Sequence, residues 1–187
     1  SMTANDPFSL AGKRILVTGA SSGIGHQTAI SCASQGATLI ITGRNAERLA
    51  HTAGLLAGDG HVSVVADLTQ AQDISALAAQ AGSIDGVVHA AGISKLVPLR
   101  MVKQAHLEEM FAHNTYAPIL LTKELLAKRL IRPHGSIVFI SAVASHIGPL
   151  ASSGYSASKA ALLGAMRSLG LEVAKQGIRA NCLAPGY

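Results

Sequence analysis

Lys13-Arg14-Ile15-Leu16-Val17-Thr18-Gly19-Ala20-Ser21-Ser22-Gly23-Ile24-Gly25 runs from an apolar stretch into a glycine-rich turn and then into a helix-period pattern over Ile24–Ser34. Strand, glycine turn, helix is an order with a physical use. Glycines at 19, 23 and 25 let backbone approach a pyrophosphate, relieve turn strain and permit close helix–strand packing. The new helix adds free N–H groups and the positive end of its dipole. The spacing is Gly-x-x-x-Gly-x-Gly, not the commoner Gly-x-Gly-x-x-Gly, so a plain strand-to-helix turn stands beside a dinucleotide cradle as a reading.

The same alternation continues along the chain. Apolar strand patterns cover Arg14–Thr18, Thr38–Thr42, His61–Ala66, Gly86–Ala90, Ser136–Ile140 and Ile178–Leu183. Helical patterns fall between them, at Ile24–Ser34, Ala46–Ala57, Ala71–Gln80, Lys103–Arg129 and Gly154–Lys175. Strands as apolar as Ile137-Val138-Phe139-Ile140 suit a parallel sheet covered on both faces. With right-handed crossovers the expectation is an α/β, doubly wound parallel sheet in three αβα layers.

Downstream, Tyr155-Ser156-Ala157-Ser158-Lys159 puts a phenol and an ammonium at i, i+4 on one helix face. A fixed positive charge a few Å away favours the phenolate and suits tyrosine to general acid–base work near neutrality. A solvated helix face that happens to read Tyr-x-x-x-Lys is the bland alternative.

Taken together and in order, Thr18-Gly19-x-x-x-Gly23-x-Gly25 and Tyr155-x-x-x-Lys159 resemble the short-chain dehydrogenase/reductase family, and the likeness runs from Leu10 to Gly186. It implies a single NAD(P)-binding Rossmann-fold domain over residues 1–187, an oxidoreductase interconverting a ketone and a secondary alcohol, and a catalytic tetrad of Asn114, Ser141, Tyr155 and Lys159. Ser141 would donate to the substrate carbonyl from a strand's carboxyl end. Tyr155 would deliver the proton, and Lys159 would tune it and hold the nicotinamide ribose. The Asn114 carbonyl would hold a water linking Lys159 to solvent. Cofactor contacts would fall on Gly19, Ser21, Ser22, Gly23, Ile24, Gly25, Arg44, Asp67, Leu68, Ala91, Gly92, Tyr155, Lys159, Pro185 and Gly186, with Asp67 meeting the adenine.

Cofactor choice is argued from Ile41-Thr42-Gly43-Arg44. Gly43 stands where an acidic residue normally accepts from the NAD ribose, and Arg44 offers a charge-assisted partner to a 2′-phosphate, so NADP(H) is expected. Ser22 occupies a place where many NADP-linked members carry a basic residue. Two further departures stand out. His89-Ala90-Ala91-Gly92 replaces the usual Asn-Asn-Ala-Gly, with His89 a substitute donor and altered stability expected. The sequence stops at Tyr187, where members usually continue through a substrate-covering loop and a last strand, so an omitted tail is expected; Ser1-Met2, within the polar extension at residues 1–10, looks like a tag remnant.

Composition narrows the classes. An apolar content of 49% with 13% charged residues argues against disorder. No apolar run reaches membrane-span length and the start does not read as a signal peptide, so a cytoplasmic enzyme is expected. Aromatic content of 3% and dispersed cations speak against nucleic acid. Two separated cysteines and eight scattered histidines give no metal site; His106 and His113 sit on an expected helix, and His146 lies near the expected substrate mouth. The net charge of +5 is compatible with acidic partners. Lys128, Arg129 and Arg132 lie where β-ketoacyl carrier-protein reductases of the family meet acyl carrier protein, with Gln176 in place of a further cation; a solvated helix end is the alternative. The resemblance further implies that the long helices around Asn114 and Tyr155 pair copies into a homodimer or homotetramer; Ala160, Ala161, Gly164 and Ala165 would permit such close helix approach, and facing the sheet is the alternative use of the same small residues. The leading substrate class is a β-ketoacyl thioester. Another secondary alcohol, sugar or steroid, or a non-catalytic NADPH-binding regulator, are the alternatives.

Overall fold

The computed structural model describes residues 6–141 and 148–185. In chain order the elements are β1 (Arg14–Thr18), α1 (Gly23–Ser34), β2 (Thr38–Gly43), α2 (Ala46–Gly54), β3 (Val62–Val65), α3 (Ala71–Ala81), β4 (Ile84–His89), α4 (Gln104–Phe111), α5 (Ala117–Ala127), β5 (Ile131–Ile140), α6 (Ser153–Val173) and β6 (Arg179–Leu183). The six strands are all parallel, in the order β3-β2-β1-β4-β5-β6. This is the doubly wound Rossmann sheet the apolar runs imply.

Alternate strand residues feed two cores. Leu16, Ile40, Val87, Ile137 and Phe139 face α3, α5 and α6, packing with Leu77, Leu121, Leu125 and Leu162. Val17, Leu39 and Ile41 face the other way onto Ala29, Ala33 and Leu49 of α1 and α2. Each fully buried large aliphatic side chain stabilises the fold by roughly 1.5–3 kcal/mol. The order in which strands are added reverses between β1 and β4, and open parallel sheets bind ligands outside the carboxyl ends of such a pair.

Beyond shifts of up to three residues at element ends, those of α2 and β4 among them, two elements depart from the sequence reading. The helix expected over Lys103–Arg129 is continuous in path but not in winding: between α4 and α5, Ala112–Tyr116 forms a π turn. Pro118 has no N–H to give the Asn114 carbonyl, so the α-helical bond there cannot form. The fifth strand begins at Ile131, five residues before Ser136, because Ile84 draws Ile131 into the sheet before the register jumps to Gly86↔Ser136. The Pro133-His134-Gly135 stretch that reads as a turn is therefore an irregularity inside a strand, with His134 at φ 67°.

Candidate active site

The glycine turn is built by close backbone contact. Gly19 has φ +61°, and a Cβ there would stand 2.7 Å from Ala91 Cα. A Cβ on Gly25 would run into the Gly19 carbonyl oxygen, so α1 lies directly on the turn. From β1, Thr18 Oγ1 accepts the Ala90 and Ala91 N–H groups, each at 3.1 Å, and holds the exit of β4 beside the turn.

Two clefts meet at this point, sharing Gly19, Ser22, Ala91 and Gly92. One, of about 420 Å³, runs past Ser21, Gly43 and Arg44 to Leu68 and His113. The other, of about 620 Å³, runs past Gly23, Ile24 and Ile93 to Ser141, Tyr155, Lys159 and Pro185. They form a bent groove over the carboxyl ends of β1 and β4.

In the first arm Gly43 is buried, and a Cβ on it would lie 2.9 Å from Ser21 Oγ and 3.2 Å from Ser21 Cβ. Arg44 is exposed beside it. Asn45 caps α2, its Oδ1 accepting from Arg48 N at 2.9 Å. Asp67 Oδ1 accepts from Thr69 N and Thr69 Oγ1, at 3.0 and 2.7 Å, and the Thr69 bonds hold the carboxyl below its ordinary pKa. Of the Asp67-Leu68 pair, Leu68 lines the cleft.

The second arm is held by side chains. Asn114, fully buried, accepts from Ile93 N at 2.8 Å through Oδ1 and donates through Nδ2 to Ile93 O at 2.9 Å and Ser158 Oγ at 3.1 Å. Thr115 Oγ1 donates to Ser158 O at 2.6 Å, fastening the π turn to α6 one residue before Lys159. Lys159 is buried at 7% exposure, with Nζ 3.4 Å from the Ile140 carbonyl; burial pulls its pKa below the ordinary lysine value, partly countered by Cys182. Gly92 closes the arrangement: a Cβ there would stand 2.6 Å from Asn114 Oδ1 and 2.9 Å from Lys159 Nζ. Ser141, 4% exposed, follows β5 and donates its backbone N–H to Leu183 O at 2.7 Å. Tyr155 is half-buried on the cleft wall.

The model for short chain dehydrogenases matches residues 13–187. The chain belongs to the short-chain dehydrogenase family. It is 34% identical over 178 residues to 3-oxoacyl-[acyl-carrier-protein] reductase FabG of Rickettsia bellii, covering 95% of this chain and 73% of that protein. It is 34% identical over 192 residues to dehydrogenase/reductase SDR family member 4 of Pongo abelii, covering 99% and 68%. A crystal structure of a dehydrogenase/reductase from Sinorhizobium meliloti 1021 superposes with a TM-score of 0.87 at 33% identity, covering 96% of this chain and 73% of that one. Membership makes the protein an NAD(P)-linked oxidoreductase acting on CH–OH or carbonyl groups.

Within this short-chain dehydrogenase, Ser21, Ser22, Gly23, Ile24, Arg44, Leu68, Ala91, Gly92, Ser141, Tyr155, Lys159 and Pro185 all border the groove. Gly25 and Asn114 are buried behind it, acting on its shape. Gly186 and His146 lie outside the described residues. His89 is a donor, as expected, but to α5 rather than to a neighbouring strand. The Thr122 hydroxyl donates to Pro118 O at 2.8 Å, so the 2.8 Å contact between His89 Nε2 and Thr122 Oγ1 has the imidazole as donor. Nδ1 is left as a buried acceptor without a partner among the described residues, and the ring stacks on Phe139 at 4.7 Å. Burial lowers its pKa to about 3.

Thr115 and Ser158 support the site without standing out in the sequence, and Thr18, part of the glycine motif, shows its hold on Ala90 and Ala91 only in the fold. Ser158 reads as filler within Tyr-x-x-x-Lys, and its role appears only when α6 meets the π turn. Among the described residues no helix is long and apolar enough to cross a membrane and no cluster of His, Cys, Asp or Glu could hold a metal.

Proposed function

We propose that the protein is an NADPH-dependent reductase of a ketone, with a 3-oxoacyl thioester as the leading substrate class. The observation that carries the reading is the bent groove, which joins a cradle for a phosphorylated adenosine to a cleft holding Ser141, Tyr155 and Lys159. The glycine contacts fit a dinucleotide, because a side chain at 19, 25 or 92 would strike the Ala91 backbone, the Gly19 carbonyl, or Asn114 and Lys159, and so push apart the turn that the pyrophosphate approaches. Support for the 2′-phosphate comes from Gly43 and Ser21, whose contact leaves no room for the carboxylate that would repel it, and from Arg44 and the N-terminus of α2 beside them.

Bound NADPH supplies the hydride. Ser141 donates a hydrogen bond to the substrate carbonyl, polarising it and fixing its angle. Tyr155 passes its phenolic proton to the oxygen as it gains negative charge, which lowers the barrier where charge develops. Lys159, buried and cationic, stabilises the charge left on the phenol oxygen and holds the nicotinamide ribose. Asn114 positions the set by tying Ile93 and Ser158 together, and Pro118 denies the Asn114 carbonyl an α-helical donor, which suits that carbonyl to the proton path.

The apolar wall of Ile93, Leu96, Pro149 and Leu150 suits an acyl chain, and the name of the Rickettsia relative points the same way. Lys128, Arg129 and Arg132 are all exposed, but Glu124 holds the first at 2.8 Å and Asp85 the last at 2.8 Å, which offsets the charge these two offer a carrier. Assembly as a cytoplasmic homo-oligomer goes with the reading. Its support is an apolar groove of about 590 Å³ between α5 and α6, lined by Ile119, Leu126 and Leu169, with exposed Tyr116 and Leu120 on the same helical stretch.

The test is NADPH oxidation with acetoacetyl thioester, run beside NADH and beside Tyr155→Phe. Turnover selective for NADPH and reduced by about 100–10,000-fold in Tyr155→Phe, with NADPH binding retained, is the expected result. Equal turnover by Tyr155→Phe overturns the proton-donor role. Binding without turnover of any ketone favours a regulator.

A further inference from the structure

We propose that His113 is a phosphate-responsive residue of the adenosine arm: it takes up a proton when a cofactor bearing a 2′-phosphate binds, and so tightens selection for that cofactor as pH falls. The inference rests on the NADPH reading above and adds to it a residue that the dinucleotide motifs do not include.

The placement follows from the π turn. Asn114 is pinned inward by Ile93 and Ser158, and His113, the residue before it, sits half-buried in the wall of the adenosine cleft together with Arg44 and Leu68. Charged groups reach His113 from each neighbouring segment: Arg44 from the end of β2, Asp67 from the end of β3, Glu109 from α4 and Lys95 from the segment after β4. Arg48 of α2 lines the same cleft. The two carboxylates are already engaged, Asp67 with Thr69 and Glu109 with Lys95 at 2.6 Å.

Burial is the main force holding the imidazole below its ordinary pKa; Arg44 adds to it, and Asp67 and Glu109 oppose it. His113 is therefore neutral near pH 7 in the free protein. A phosphate dianion set against Arg44 screens the cation that most depresses His113 and brings negative charge of its own to the same cleft. Both changes favour the imidazolium. A cofactor ending in a bare 2′-hydroxyl brings neither, while the adenosine common to both cofactors deepens the burial that keeps the ring neutral, so uptake marks the phosphate alone. The proton comes from solvent, and by linkage its uptake makes NADPH affinity rise as pH falls, by up to about 10-fold per pH unit between the free and bound pKa values. The cofactor's own phosphate, with a second pKa of roughly 6, works in the opposite direction, releasing a proton when Arg44 binds it.

Calorimetric titration of the whole protein with NADPH and with NADH, at pH 7 in buffers of different ionisation enthalpy, counts the protons directly. The expected result is net proton uptake with NADPH and none with NADH, and loss of that uptake in both His113→Gln and His113→Phe, whose NADPH affinity no longer rises as pH falls. The second variant keeps a flat ring in the wall, so a packing defect in the first cannot imitate the result. Uptake that persists unchanged in both variants overturns the inference while leaving the cofactor reading intact. Equal affinity of the unaltered protein for NADPH and NADH overturns the cofactor reading, and the inference with it.

Discussion

The two arms of the groove are built from different materials. The adenosine arm is a backbone construction, in which Gly19 packs on Ala91, Gly25 packs on Gly19, and Thr18 holds two main-chain N–H groups. The reactive arm is held by side chains reaching between elements distant in sequence, Asn114 to Ile93 and Ser158, Thr115 to Ser158, and Lys159 to Ile140. Backbone contact tolerates no added atom, because a carbonyl cannot turn aside. A side-chain clamp tolerates small shifts but fails when a buried partner is removed. Substitutions in the two arms should therefore damage different steps.

The largest effect is expected at the clamp. Asn114→Ala strips the part-buried Ile93 N–H and carbonyl, and the buried Ser158 hydroxyl, of a partner at once, at up to about 1–3 kcal/mol for each polar group left bare. Denaturant unfolding should show a loss of several kcal/mol, and turnover should fall more steeply than cofactor affinity. A variant that lost affinity and turnover in equal measure would erase the division between the arms. Gly25→Ala comes next. Its Cβ meets the carbonyl oxygens of Gly19 and Thr18, and overpacking against backbone costs about 1–3 kcal/mol, which is about 5–150-fold in cofactor affinity. The rate at saturating cofactor should hold near its starting value, as measured by separate determination of Kd and kcat. Gly43→Asp sharpens the comparison within the adenosine arm. Ser21 stands in the way of the new side chain, so the single substitution should weaken NADPH and NADH alike, and adding Ser21→Gly should restore NADH alone. Gain of NADH binding by Gly43→Asp without the second change would show that the Ser21 contact yields freely.

The same difference in materials explains what could be read in the sequence. The adenosine arm was legible because its glycines fall within a short stretch, Thr18 to Gly25, and because only glycine satisfies the close contacts they make, even where the partner, as at Ala91, lies far along the chain. The alternation of strand and helix gave the sheet, since strands buried on both faces must be apolar throughout. Tyr155 and Lys159 were legible as a pair for the same local reason. Ser158 and Thr115 were not, because a serine and a threonine on helices are ordinary until the helices are brought together. The π turn was hidden in an apolar periodicity that survives a single extra residue, although Pro118, four residues after Asn114, carried its cause. The early start of β5 was hidden by Pro133 and Gly135, which signal a turn even where Ile84 and Ile131 pair beside them. His113 could be placed on a helix, but its facing the adenosine cleft depends on how Asn114 winds the turn.

His89 tests the junction of the two arms, and the expected effect at neutral pH is the smallest of the set. The ring lies where β4 enters the groove, neutral and buried, with a pKa of about 3 in the folded protein against roughly 6.5 when unfolded. Between those values the unfolded chain holds a proton that the folded chain does not, so acidification through this range favours unfolding by up to about 1.4 kcal/mol per pH unit. Above about pH 6.5 neither state binds the proton and the contribution to pH dependence vanishes. His89→Asn removes the titrating group, so its stability should fall less steeply than that of the parent as pH is lowered from 6.5 towards 3, whatever the constant cost of losing the Thr122 bond and the Phe139 stack. Urea unfolding at several pH values measures the two slopes. Parallel slopes would mean that the folded protein admits a charged His89, through water reaching Nδ1 from the adenosine cleft, and the floor of that arm would then be a polar surface rather than the sealed top of the core.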